Sequence, residues 1–143
     1  MKKIVIFFII VIAIVSTVTY IYLNQVANYR TTQKENAKIA VNKEKEMTGS
    51  ELATIMNKVL DTNAKNKIQK DEEGKYIDNG ENSINIDIIF IDNDVIYNIE
   101  KIYQGGISKF VHYYGNIKFK CIDVQYHEAT GKIKYMKFEQ ITQ

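Results

Sequence analysis

Ile4-Val5-Ile6-Phe7-Phe8-Ile9-Ile10-Val11-Ile12-Ala13-Ile14-Val15-Ser16-Thr17-Val18-Thr19-Tyr20-Ile21-Tyr22-Leu23 is a run of twenty residues without a charge. At about 1.5 Å per residue such a helix spans roughly 30 Å, the thickness of a bilayer's hydrocarbon core. Ser16, Thr17 and Thr19 do not spoil it, because their hydroxyls can bond carbonyls within the helix. Tyr20 and Tyr22 stand at the far end, where aromatic rings favour the headgroup boundary. Lys2 and Lys3 flank the near side, and the first charge beyond the run is Arg30. That asymmetry predicts residues 1–3 in the cytoplasm, a single pass through the cell membrane, and the rest of the chain outside. The competing reading is a cleaved signal peptide. Its apolar region is usually about 7–15 residues and ends in a small-x-small site; Gln25-Val26-Ala27 matches that poorly, and no lipobox cysteine is present.

Outward from the anchor, Asn24 to Glu46 is polar, of mixed charge, and free of Gly and Pro. Val26, Tyr29, Ala37, Ala40 and Val41 leave a thin apolar stripe. The stretch reads as a stem, either a helical stalk continuing the transmembrane helix or a charge-rich flexible tether. Removing anchor and stem leaves roughly 95 residues, enough for one small domain over 47–143.

Met47 opens that domain with the sharpest local signal. Thr48 and Glu51 form a capping box, and Met47 and Leu52 occupy the positions of a hydrophobic staple. Leu52, Ile55, Met56, Val59 and Leu60 follow the spacing of one buried helix face, opposite Ser50, Asn57, Lys58 and Asp61. A helix to about Asn66, packed on a sheet, is predicted.

Strand signals follow the Asp71-Glu72-Glu73-Gly74 break. Lys75-Tyr76-Ile77 and Ser83 to Ile91 flank Asn79-Gly80, a hairpin signal. Ile84, Ile86, Ile88 and Phe90 alternate with Asn85 and Asp87, predicting one buried face. Asp92-Asn93-Asp94 reads as a turn, Val95 to Tyr103 as a third strand ended by Gly105-Gly106. Ile107, Phe110, Val111 and Tyr114 fit two helical turns closed by Gly115. Ile117 to Tyr126 and Ile133 to Phe138 form a last hairpin. The expected fold class is α+β: an N-terminal transmembrane helix and stem, one capped helix on an antiparallel sheet of about five strands, and a short inserted helix.

Charge limits the partners. Without Lys2 and Lys3 the chain carries 17 basic and 17 acidic residues. A neutral exported part lacks the basic face that binding to a phosphate backbone requires, so no nucleic-acid partner is expected. Proline is absent and Ile, Asn and Lys are abundant, the bias of an AT-rich bacterial genome. Cys121, the only cysteine, lies in an apolar strand-like stretch and reads as a buried free thiol.

Chemistry-bearing patterns are sparse. Asp92-Asn93-Asp94 and Asp78-Asn79-Gly80-Glu81-Asn82 offer oxygens to calcium, but neither has the glycine and terminal glutamate of a full EF-hand loop, and Asx side chains in turns ordinarily bond their own backbone. His112 and His127 have no clustered Cys or Asp and do not spell a zinc site. Ser83 and Ser108 have no recognisable base, so a hydrolase triad gains no support. The expectation is therefore a non-enzymatic protein without cofactor, metal or catalytic site. Tyr103, Phe110, Tyr113 and Tyr114 surround Gly105-Gly106, and tyrosine is enriched at interfaces. They are the candidate interaction surface, against the plainer reading of core packing.

An apolar N-terminal helix that emerges into a stem and carries a small antiparallel sheet resembles, in layout, bacterial pilin-like subunits, including the minor ones of type IV and tight-adherence systems. Type IV prepilins carry a basic leader ending in glycine, then an apolar stretch with glutamate at its fifth position; here no glycine precedes Gly49 and no acid precedes Glu35. The resemblance implies a subunit or accessory factor of a cell-envelope assembly. Its partners would be the lipid bilayer through Ile4–Leu23 and other envelope proteins or copies of itself. The alternative is an anchored sensor or binding module for a peptide, cell-wall fragment or small ligand.

Overall fold

The computed structural model describes residues 2–39, 43–91 and 95–141. The Asp92-Asn93-Asp94 turn, and Ala40 and Val41 of the stem stripe, lie outside the described residues. The chain divides into two compact units, Met1–Lys34 and Glu35–Gln143.

Helix α1 (Lys2–Ile39) supplies the whole described part of the first unit. It is long and apolar enough to cross a membrane, and none of its apolar window is buried. Thr17 Oγ1 donates to the Ala13 carbonyl and Thr19 Oγ1 to that of Val15, each at 2.8 Å. These bonds to the preceding turn satisfy the hydroxyls inside the helix, as the sequence leads one to expect.

The second unit is an α+β domain. Its elements are β1 (Glu46–Thr48), α2 (Gly49–Lys65), β2 (Asn85–Ile89), β3 (Ile96–Asn98), α3 (Ile99–Gly105), α4 (Ile107–Tyr114), β4 (Lys118–Tyr126) and β5 (Ile133–Gln140). The sheet order is β1-β4-β5-β2-β3. All neighbours are antiparallel except β2 and β5, which run parallel with Ile86 opposite Met136 and Ile88 opposite Phe138.

The capping box sets the start of α2. Thr48 N–H donates to Glu51 Oε2 at 2.7 Å and Glu51 N–H to Thr48 Oγ1 at 3.3 Å, which satisfies two of the orphan donors of a helix start. Met47 and Leu52 are both buried, as the staple requires. Leu52, Ile55, Met56 and Val59 then share one core with Ile86, Ile88, Phe119, Cys121, Met136 and Phe138. Gly49 lies against the carbonyl of Tyr114, where a Cβ would collide with backbone; Gly49 N–H donates to Ile117 O at 2.8 Å and Ser50 N–H to Gly115 O at 3.0 Å. The absent side chain thus lets α2 begin directly on the end of α4.

Three segments depart from expectation. Lys75-Tyr76-Ile77 is not a hairpin strand; it makes a single bridge, Lys70 with Tyr76. The intervening loop is closed by its own side chains: Asn79 Oδ1 accepts from the N–H groups of Glu81, Asn82 and Ser83, and Asp78 Oδ1 from that of Gly80. With those donors spent locally, β2 finds its partner in β5 instead. The strand begins only at Asn85, because both backbone groups of Ile84 are held by the side chain of Asn63. Val95 to Tyr103 is a short strand followed by a helix, since Asn98 Oδ1 caps α3 by accepting from Lys101 N–H at 3.0 Å. Ile99 and Ile102 are buried with helical spacing, not strand alternation.

The compact unit also starts ahead of Met47. Asn36 donates from Nδ2 to Gly131 O and accepts on Oδ1 from Ile133 N–H, both at 3.0 Å. Ile39 is buried, and Lys132 pairs with Glu35 at 2.8 Å.

Candidate functional site

Gly106 joins α3 to α4 with φ 95° and ψ 116°, a left-handed backbone that glycine adopts without a Cβ penalty. Its N–H caps α3 on Tyr103 O at 3.0 Å, and the chain turns at once into α4. The turn sends Phe110 into the core, where its ring stacks on Tyr114 at 5.5 Å and meets Phe119 at 5.9 Å and Phe90 at 6.4 Å. Phe90 in turn lies 4.7 Å from Tyr114 and edge-on to Tyr97 at 5.3 Å. Such offset and edge-to-face pairs add about 0.5–1.5 kcal/mol each beyond area burial, so the rings hold one another in place.

Above them lies a hollow of about 270 Å³. Phe90, Tyr97, Ile102, Phe110 and Tyr114 line it, with Gly105 and Gly106 at the helix junction and Lys101, Lys109 and Tyr113 completing the wall. Of the four residues predicted as an interaction surface, Phe110, Tyr113 and Tyr114 line this hollow, while Tyr103 is exposed on α3 and is not among its lining. Phe110 is 5% exposed and serves the core first. Phe90, Tyr97, Lys101 and Lys109 were not singled out from sequence. Reading 99–105 as a helix would have put Lys101, Ile102 and Gly105 on adjoining positions of one surface, but the contributions of Phe90 and Tyr97 are non-local.

A second concavity, about 590 Å³, lies between residues 35–39, α2 and the β4–β5 hairpin. Much of its charge is committed: Lys132 pairs with Glu35, and Lys58 Nζ donates to Lys38 O at 2.9 Å, at the carbonyl end of α1. A cation there complements the negative helix terminus. This cleft fastens the last turns of α1 within the domain.

Ser83, His127 and Asp78 come together in space, which their sequence positions did not announce. The arrangement is nonetheless not that of a nucleophile and its base. His127 is buried and its Nε2 lies 2.8 Å from the carbonyl of Ser83, an acceptor, so Nε2 carries the proton. Ser83 Oγ donates to Asp78 Oδ1 at 3.2 Å and accepts from Asn79 N–H at 3.1 Å. The hydroxyl is fully buried and bonded to the carboxylate, not to the imidazole. The Lys134 ammonium, 2.8 Å from Asp78 Oδ2, and then the Gly80 N–H hold the Asp78 carboxyl down at about 2. The cluster ties the 78–83 loop to the β4–β5 hairpin.

The other candidates are also placed. Of the side-chain oxygens that calcium would need, Asp78 Oδ1 and Asn79 Oδ1 accept from N–H groups of their own loop, and Asp78 Oδ2 pairs with Lys134. Among the described residues no three His, Cys, Asp or Glu side chains gather as a metal site. His112 is exposed on α4, edge-on to Tyr113 at 5.0 Å, and Ser108 is exposed in the first turn. Cys121 is fully buried, and burial pushes its thiol up to about 11.

No known protein-family model matches this chain, and no curated protein or solved structure matches it.

Proposed function

We propose that this chain is a non-enzymatic, single-pass membrane protein of the cell envelope, with residues 1–3 cytoplasmic and the α+β domain outside, working as a subunit or accessory factor of an envelope assembly through protein contacts. The observation that carries the reading is the exposure of the apolar side chains from Ile4 to Leu23 on every side of α1. A helix apolar all round needs an apolar environment. The domain Glu35–Gln143 has its own closed core. Lys2 and Lys3 on one flank, with no further charge until Arg30, support the orientation. The pilin-like layout supports assembly into a larger envelope structure. The aromatic hollow between α3 and α4 supports the alternative of an anchored sensor or binding module, since a preformed concave surface is what such a module requires.

Crosslinking mass spectrometry on the natively expressed full-length chain tests the proposal, with the N-terminal peptide identified in the same run and protease added to intact spheroplasts. Retention of Lys2, cleavage of the domain from outside, and crosslinks to envelope proteins or to further copies are expected. A mature chain starting near Asn28, or a domain shielded from external protease, would refute the anchored topology. A correctly oriented monomer with no crosslinks would refute the assembly role and leave the binding module.

A further inference from the structure

We infer that the α3–α4 hollow docks a segment of a partner protein that presents an aromatic or aliphatic side chain flanked by carboxylates. The inference rests on the reading of this chain as one that works by protein contact, and it names the chemistry of the partner.

Charge carries the argument furthest. Most lysines around the sheet have acidic partners: Lys75 with Glu73, Lys118 with Glu46, Lys120 with Glu44, Lys132 with Glu35 and Lys134 with Asp78. Lys101 on α3 and Lys109 on α4 both line the hollow, and among the described residues neither makes an ion pair. Two ammonium groups at one apolar hollow, neither paired with a described acid, favour an anion there. Between them the floor is aromatic and aliphatic, so the ligand needs an apolar body as well as negative charge.

Size and surroundings select a polypeptide. At about 270 Å³ the hollow is just below the roughly 300–1,000 Å³ of ordinary small-molecule cavities. It holds one or two side chains of something longer. Tyr113 on its wall is 67% exposed, and the apolar surface continues outside it through Tyr103 (57%) and Val111 (37%), a composition enriched at protein interfaces. No atom lies within 4 Å of where a Cβ would stand on Gly105 or Gly106, so a partner's main chain can run over the junction. The floor rings are already locked against one another, and little ordering cost is left to binding. A membrane surface also attracts lysine and tyrosine, but a bilayer would meet the protruding Tyr103 and Tyr113 and leave the recessed floor unused.

The test is selection of a yeast-displayed random heptapeptide library on the full-length protein in phosphatidylcholine nanodiscs, counter-selected on empty nanodiscs. Enrichment of sequences with an aromatic or aliphatic centre between acidic residues is expected. The double variant Lys101→Glu/Lys109→Glu should weaken the enriched peptides by about tenfold or more, Lys101→Arg/Lys109→Arg should retain them, and Tyr113→Ala should weaken them with the thermal melt unchanged. Enrichment without acidic residues, or affinity indifferent to the charge reversal, would overturn the inference while leaving the protein-contact reading intact. Failure to enrich any peptide, coupled with binding of phosphatidylglycerol-rich vesicles that the charge reversal abolishes, would make the surface a lipid contact and overturn it too. Because the assay uses purified protein, its result does not depend on orientation in the cell, so failure of the topology and failure of this inference are separately visible.

Discussion

Replacing Asn63 with alanine should be among the most damaging single polar substitutions in the domain. Asn63 is fully buried on α2, and its amide acts as a neighbouring strand would. Nδ2 donates to the carbonyl of Ile84 at 2.7 Å, and Oδ1 accepts from the N–H of the same residue at 3.0 Å. Truncation leaves a donor and an acceptor of a buried backbone without partners. Each such group costs about 1–3 kcal/mol, so Asn63→Ala should destabilise by about 2–6 kcal/mol, against a total stability of about 5–15 kcal/mol for a typical domain. Asn63→Asp restores one acceptor but turns a carboxylate toward the Ile84 carbonyl, and should be no better. Asn66→Ala is the control, because among the described residues its side chain makes one exposed 3.4 Å contact, to Asn82 O, and its backbone bond to Thr62 O survives the change; a change within about 0.5 kcal/mol is expected there. Urea titration of the full chain in detergent micelles, followed by near-UV circular dichroism of its tyrosines, measures both. A loss below about 1 kcal/mol for Asn63→Ala, or equal losses at Asn63 and Asn66, would refute the account of how β2 is held.

Other substitutions probe other links. Thr48→Ala removes the capping hydroxyl of α2 and should cost about 1 kcal/mol in the same titration. Asp78 titrates well below its ordinary range in the folded protein, so the stability it contributes is complete above its ordinary pKa near 3.8 and is lost as pH falls toward about 2. Lys134→Met removes the first cause of that depression; the variant should be less stable than the wild type by an amount that is full above the ordinary pKa near 3.8 and fades as pH falls toward about 2, which stability measured across that range checks. The Cys121 thiol, raised from 9.0 to about 11, should react with Ellman's reagent at pH 8 at least about a hundredfold more slowly in the native chain than in denaturant, since the thiolate is the nucleophile.

Elements set by local rules were legible before any coordinates. The capping box, the Leu52-to-Val59 stripe, the two turns ending at Gly115 and the final hairpin follow from short-range spacing, and the structure has them within a residue or two. What escaped depends on distant partners. Alternation marked Ile86 and Ile88 as a half-buried strand, but nothing in a period of two says whether the neighbour is parallel, and the pairing with β5 was missed. Tyr97 and Ile99 mimic strand alternation, so α3 was read as a continuation of β3 although Asn98 was positioned to cap it. The same holds for the candidate site. Phe110, Tyr113 and Tyr114 fall together because one short helix carries them, whereas Tyr97 enters the hollow from β3, Phe90 from just beyond β2, and Asn36 meets Ile133 across most of the chain.

The parallel pairing of β2 with β5 also bears on the order in which the domain can form. β5 follows every other described strand in the chain, yet it sits in the middle of the sheet, with β4 on one side and β2 on the other. Until residues 133–140 exist, β2 and β3 are a bare two-strand ribbon and β1 with β4 another, and neither is expected to stand alone in water. During synthesis the early strands must therefore wait with Ile86, Ile88 and Phe119 uncovered. Closing β2 against β5 spans more than forty residues, a long-range step of the kind that slows folding and exposes chains to aggregation. On the topology proposed above, α1 would hold the waiting chain at the outer face of the membrane, and a chaperone acting there, rather than one acting in the cytoplasm, would govern its yield.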